Sequence, residues 1–201
     1  LILFPLLLNA QKEMKIERTQ PKLGIEAGFA LGDLYNFGYD LTLNYFPYSN
    51  SWLRLGPSFT FANTYTPYKD WIPNGNEATN LDTDILALLG ASFEFIPFKK
   101  SSFYIGVTPY VGYHGKVNKG TTKNNVVNLD IDHDYRLNKF DWGLQFKLGG
   151  YFGKVQRFGA AAKLVFSTGG IADDNPTTKF YNFDKNEYKS YVGFMFVYTI
   201  K

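Results

Sequence analysis

The chain has 201 residues, a net charge of +3, no cysteine and an aromatic content of 18%. That length suits a single domain. The missing cysteine excludes disulfides, thiol nucleophiles and cysteine-bound metals, and the scattered lysines and arginines form no stripe that would track a nucleic-acid backbone.

Leu1 to Leu8 reads LILFPLLL, an apolar run too short to span a membrane as a helix. Asn9, Ala10, Gln11 and then charges follow it. The run has the character of a signal-peptide remnant over residues 1–10, with cleavage after Ala10; a buried first strand is the other reading. Residues 11–20 are charged and aperiodic, an N-terminal lead. Residues 21–201 form the folded domain.

From there a period of two recurs, the mark of strands with two different faces. Leu23, Ile25, Ala27 and Phe29 alternate with Gly24, Glu26 and Gly28. Tyr39, Leu41, Leu43 and Tyr45 alternate with Asp40, Thr42 and Asn44. Leu53 to Phe61 sets Leu and Phe against Arg54, Gly56, Ser58 and Thr60. Ile85 to Phe95 is more ambiguous, since DILALLGA also fits a helical turn. The fifth segment places Phe103, Ile105, Val107 and Val111 against Tyr104, Gly106 and Thr108. The sixth places Phe140 to Leu148 against Asp141, Gln145 and Lys147. The seventh sets Phe158, Leu164 and Phe166 against Gly159 and Lys163, and the last sets Phe194, Phe196 and Tyr198 against Gly193 and Met195.

This predicts eight strands of about ten residues, enough to cross a bilayer at a tilt. Tight turns fall near Pro47–Ser51, Pro97–Ser101 and Gly153–Gln156. The first two repeat one theme, NYFPYSNSW and EFIPFKKSS. The opposite connections are polar and roughly twenty residues long, except the short one around Gly32–Asn36. One face is apolar. The other is rich in glycine and carries the charges, which suits a crowded narrow interior. Mean hydropathy of −0.22 is compatible, because inward polar residues dilute the average of a membrane barrel. Aromatics gather at both segment ends. Tyr45, Tyr48, Trp52, Phe95, Phe98, Phe103, Tyr151, Phe152, Phe158 and Tyr198 lie near the short turns. Phe29, Tyr39, Phe61, Tyr113, Phe140, Trp142 and Phe166 lie near the long loops. Two girdles at two interfaces follow.

On the paired turns, the loop asymmetry and the closing strand YVGFMFVYTI, the chain resembles the small eight-stranded outer-membrane β-barrel proteins of Gram-negative bacteria, the porin-like barrel-domain family. The resemblance covers nearly everything after Gln20. It implies an all-β, antiparallel, up-and-down transmembrane barrel with short periplasmic turns and long extracellular loops, lying in the bacterial outer membrane. In that family the last strand carries alternating aromatics; Phe194, Phe196 and Tyr198 match, although the chain ends Ile200-Lys201.

The inward polar set is Glu26, Asp40, Arg54, Glu94, Asp141, Lys147 and Lys163. Charges in a narrow barrel are costly unless paired, so an internal ion-pair network is expected; an ion or proton path is the alternative. No catalytic residue, cofactor or metal is assigned. His114 and Ser167 near the outer rim leave a lipid-modifying enzyme open as a second reading, but no nucleophile stands beside a base in sequence. LDIDHDY over Asp130, Asp132, His133 and Asp134 holds acids that suit a hard cation, yet strand-like spacing puts them along one edge. Asp82, Asp84, Asp173 and Asp174 are further loop acids. Tyr65, Tyr68, Trp71, Phe180, Tyr181 and Phe183 are the contact candidates on the outer loops. The function expected is a non-enzymatic, monomeric barrel with a largely filled lumen, held by outer-membrane lipid and meeting an envelope partner through its loops. A solute channel and a soluble ligand-binding barrel are the rivals.

Overall fold

The computed structural model describes residues 22–31, 37–72, 76–97, 102–124, 129–152, 157–167 and 190–200. The expected signal remnant and lead lie outside them. Eight long strands are present: β1 (Leu23–Leu31), β2 (Phe37–Tyr45), β3 (Leu53–Ile72), β4 (Asn76–Phe95), β5 (Phe103–Asn124), β6 (Leu129–Phe152), β7 (Phe158–Ser167) and β8 (Ser190–Ile200). A two-residue bridge at Tyr48–Ser49 pairs with the start of β3. Each strand pairs antiparallel with the next, and β8 returns to β1, so the sheet closes. Asp84–Ala91, the segment that also fits a helical turn, lies within β4.

The closure is staggered. A row of paired residues followed from Arg54 passes through Glu94, Gly106, Lys147, Lys163, Gly193, Ala30 and Gly38 and meets β3 again at Thr64, ten residues above its start. A shear of this size tilts the strands and gives eight of them an interior that side chains can just fill.

The two faces are inverted relative to a soluble barrel. Phe29, Phe158 and Phe196 point outward and are 63%, 64% and 74% exposed, while Glu26, Lys163 and Asp141 point inward and are 1%, 0% and 0% exposed. A soluble protein does not leave so many large apolar side chains in water. No described helix is long and apolar enough to cross a membrane; the crossing is made by strands.

The outer connections are more ordered than expected. β3 to β6 run 20, 20, 22 and 24 residues. The β3–β4 ladder continues to Ile72 opposite Asn76, and the β5–β6 ladder to Asn124 opposite Leu129. Two of the long loops are thus extensions of the strands, joined to each other as far as Glu77 opposite Lys123. Beyond the bilayer both faces of a strand can be polar, so the apolar period fades although the pairing persists. The result is a four-stranded wall above one side of the barrel. β2 ends opposite Tyr65 and β7 ends opposite Gly143, so among the described residues Thr66–Ile72 and Leu129–Trp142 form its two edges.

The bore is narrow enough to require glycine. A Cβ on Gly149 would come within 2.5 Å of the Tyr104 ring, whereas one on lipid-facing Gly150 meets nothing nearer than 3.8 Å. Gly149→Leu is therefore expected to cut the folded fraction sharply in vesicle refolding followed by gel mobility, and Gly150→Ala to leave it unchanged. Equal folding of both variants would show that the Tyr104 layer is loosely packed.

Candidate functional site

Inward residues of the barrel form stacked layers. Nearest the short turns, Lys147 on β6 reaches across the bore. Its Nζ lies 2.7 Å from Glu26 Oε1 on β1 and 3.1 Å from Glu94 Oε1 on β4. Asn44 Nδ2 donates to the same Glu26 oxygen at 2.6 Å. Arg54 Nη1 sits 3.5 Å from Glu94 Oε2 and donates to the Tyr151 hydroxyl at 2.7 Å. Tyr151 also lies under the Arg54 guanidinium, 4.9 Å from it, and stacks on Tyr104 at 5.1 Å. One layer further, Lys163 Nζ meets Asp40 Oδ2 at 2.6 Å and Thr42 Oγ1 at 2.8 Å. Tyr191 donates to the same Asp40 oxygen at 2.6 Å. Thr60 bridges Thr42 and Gln145.

Strand register explains why these pairs span the lumen. The ladder sets Lys147 directly opposite Lys163 on the neighbouring strand. Like charges so placed repel, and each lysine instead finds its acid on β1, β2 or β4. Six of the seven predicted network residues, Glu26, Asp40, Arg54, Glu94, Lys147 and Lys163, fall in these two clusters. Asp141 stands apart, accepting from the Ser167 hydroxyl at 2.7 Å and from the Trp142 backbone at 2.8 Å.

Apolar layers bracket the charges. Ile96, Tyr104, Tyr151, Ala161, Met195 and Val197 form one cluster toward the short turns. Ala30, Ala62, Leu86, Leu88, Tyr110, Val165 and Tyr191 form the other. Phe46 and Ile96, the residues before the prolines of the two repeated turns, are only 2% and 6% exposed. Each turn thus folds an apolar side chain under the barrel mouth. A Cβ on Gly24 would lie 3.4 Å from the Phe46 ring, so a small residue accommodates that plug.

One girdle assignment needs correction. Tyr151 is not at the membrane surface but buried, 5% exposed. It has the same parity as Asp141, Gln145 and Lys147 on β6, so the period of two already placed it inside. Its position beside a turn was the weaker signal. Parity equally carried Tyr104 and Tyr110 inward. Phe98 lies outside the described residues, and Phe61 and Phe103 are half-exposed.

At the outer end, His114 Nε2 and Asp84 Oδ1 are 2.8 Å apart, and both side chains are buried. The His114 Nδ1 has no hydrogen-bond partner among the described residues. Each of the two groups named for catalysis therefore holds a carboxylate: His114 takes Asp84 and Ser167 takes Asp141. A serine that donates to a carboxylate has no imidazole to accept its proton in this arrangement.

Tyr65 lies half-buried on β3, its ring 6.5 Å from that of Phe37. Tyr68 and Trp71 fall on the upper part of β3; their side chains, and all of Phe180, Tyr181, Phe183, Asp173 and Asp174, lie outside the described residues. The ladder sets Asp130 opposite Lys123, Asp132 opposite Thr121 and Asp134 opposite Lys119. The acids of LDIDHDY are spread along one strand instead of wrapping a point. Among the described residues no cluster of three His, Asp or Glu side chains suits a metal.

The closed antiparallel ladder, the apolar exterior and the charged bore together define an eight-stranded transmembrane β-barrel of outer-membrane type. No protein-family model matches the chain, and no curated protein matches it. Among solved structures it is similar to Ail, the attachment invasion locus protein of Yersinia pestis, solved in complex with the heparin analogue sucrose octasulfate: 14% identity over 90% of this chain and 99% of that one, TM-score 0.44. It is also similar to CarO of Acinetobacter baumannii, at 12% identity over 91% and 100% with a TM-score of 0.45. Neisserial surface protein A gives 12% identity over 91% and 100%, with a TM-score of 0.42.

Removing one partner of a buried ion pair strands the other charge. Lys147→Met should cost about 3–5 kcal/mol in urea unfolding from vesicles. Adding Glu26→Gln should recover more than half of that, because Glu94 keeps Arg54. A single variant as stable as the parent would mean the cluster is solvated.

Proposed function

We propose that this protein lies in the bacterial outer membrane as a non-enzymatic barrel that works outside the bilayer, through the β3–β6 wall and the outer connections, with its lumen serving as a scaffold and not as a route. One observation carries the reading: the bore is crossed by ion pairs and bracketed by apolar layers, while a four-stranded sheet with two edges rises beyond it. A sheet edge offers a row of backbone donors and acceptors to an extended segment of a partner. The partner is therefore a protein that can add a strand. Ser167 and His114 do not support the lipid-modifying alternative, since neither is bonded to the other.

Planar-bilayer recording tests the lumen half of this proposal. Purified protein should add no stable conductance steps above the leak of the lipid alone; reproducible open steps would restore the channel reading. The wall half is tested by trimming. A chain in which residues 68–80 and 119–134 are replaced by tight turns should fold and run as a heat-modifiable band like the full chain, because the barrel ladder below is intact. Failure of the trimmed barrel to fold would make the wall a structural part and overturn the assignment of function to it.

A further inference from the structure

A band of small polar side chains crosses one wall of the bore. It runs over four consecutive strands, from Ser58 on β3 through Ser92 on β4 and Thr108 on β5 to Gln145 on β6. All four are buried, none more than 3% exposed. The ladder sets them side by side. Ser58 lies opposite Gly90 and Ser92 opposite Gly56, so the two serines are diagonal neighbours. Gly90 opposite Tyr110 and Phe93 opposite Val107 bring Ser92 level with Thr108. Thr108 lies directly opposite Gln145. Gln145 then crosses the bore, and its Nε2 donates to Thr60 Oγ1 at 3.3 Å, which brings the amide head back to the strand that carries Ser58.

Each of the four has an oxygen with no hydrogen-bond partner among the described residues: Ser58 Oγ, Ser92 Oγ, Thr108 Oγ1 and Gln145 Oε1. Native interiors pair nearly all such atoms, because an unpaired one gives up its hydration for nothing. Three of the groups are hydroxyls that both donate and accept, and the amide oxygen accepts. This is a neutral set that matches water. The nearest charges do not call for an ion in the band, since Lys147 and Glu94 hold each other at 3.1 Å. Gly56, Gly90 and Gly106 stand beside the band on the same three strands and add no side chain to the space. Apolar layers containing Leu88 and Val165 on one side and Ile96 and Tyr104 on the other separate it from bulk solvent.

We propose that this band is a binding site for trapped water, about two molecules shared among Ser58, Ser92, Thr108 and Gln145, each making about three hydrogen bonds. The inference deepens the closed-lumen reading above and rests on it: the bore is filled, and part of the filling is solvent that hydrogen-bonds β3, β4, β5 and β6 to one another.

The test is magnetisation transfer from water to methyl groups, measured by nuclear magnetic resonance on the full chain folded in lipid nanodiscs. The Thr108 methyl should show a water contact, and the methyls of Leu88 and Val165 in the apolar layer should show none. Ser92→Ala adds a methyl at the site with no exchangeable proton of its own, and it should show the contact too. Stability gives an independent reading. Thr108→Val keeps the shape and removes one bond to water, so it should lower the folding equilibrium constant about threefold to tenfold in urea unfolding from vesicles. Removing a dry, unpaired hydroxyl would leave that constant unchanged or raise it. A Thr108 methyl without water contact, or a Thr108→Val chain as stable as the parent, overturns the proposal. An open lumen would show itself separately as conductance across a planar bilayer, so a dry Thr108 in a non-conducting barrel removes the water site alone.

Discussion

A sheet edge in hydrocarbon has no water to satisfy it, so everything in this molecule depends on β8 meeting β1. That single seam, Leu23 opposite Ile200 through Leu31 opposite Val192, converts eight half-apolar strands into a body with no edge inside the bilayer. Closure also fixes what can follow. With eight strands and a shear of ten, the bore is only as wide as the side chains that fill it, and the apolar faces are committed to lipid.

The lumen is a consequence of that geometry. Polar residues cannot sit outward in hydrocarbon, so they turn inward, where the space is too small to hydrate each one separately. Cross-bore pairing is the available solution. Lys147 and Lys163 are forced side by side by the ladder, and they are neutralised from the far wall by Glu26, Glu94 and Asp40. These bridges tie β1, β2 and β4 to β6 and β7 independently of the backbone hydrogen bonds, and so resist a slip in register. Tyr104 and Tyr151 fill what the charges leave, and the glycines opposite give the rings room.

Much of this was legible in the sequence, because a lipid-facing strand carries a strict period of two. That period located all eight strands, assigned the face of Arg54 and Lys163, and separated inside from outside without any motif. It failed where its physical cause fails. Above the bilayer the β3–β6 extensions meet water on both sides, so residues such as Thr66–Ile72 and Lys116–Asn124 looked like loops although they are paired. Which charge meets which was not readable either. Pairing across a bore depends on shear, and shear accumulates around the whole ring. At Tyr151 parity, and not nearness to a turn, decides the face. Phe46 and Ile96 keep the inward parity of Asp40, Thr42 and Asn44 and of Ser92 and Glu94, but each is apolar and stands beside a proline, so the polar mark of the inner face is missing there.

The central claim is that lipid lies on one face of each strand and a closed, packed bore on the other. The chain contains no cysteine, so single cysteines can be placed along β4 from Leu86 to Phe95 without removing any. Each is then tested in folded vesicles with a membrane-impermeant maleimide and with a lipid-phase fluorescence quencher acting on a probe attached before folding. The account predicts strong lipid quenching at Ala87, Leu89, Ala91 and Phe93, weak quenching at Leu86, Leu88 and Ser92, and no aqueous labelling at the latter three from either side. Rapid aqueous labelling at Leu88 or Ser92 would mean an open bore, and quenching without alternation would mean that β4 does not cross the membrane as a barrel strand.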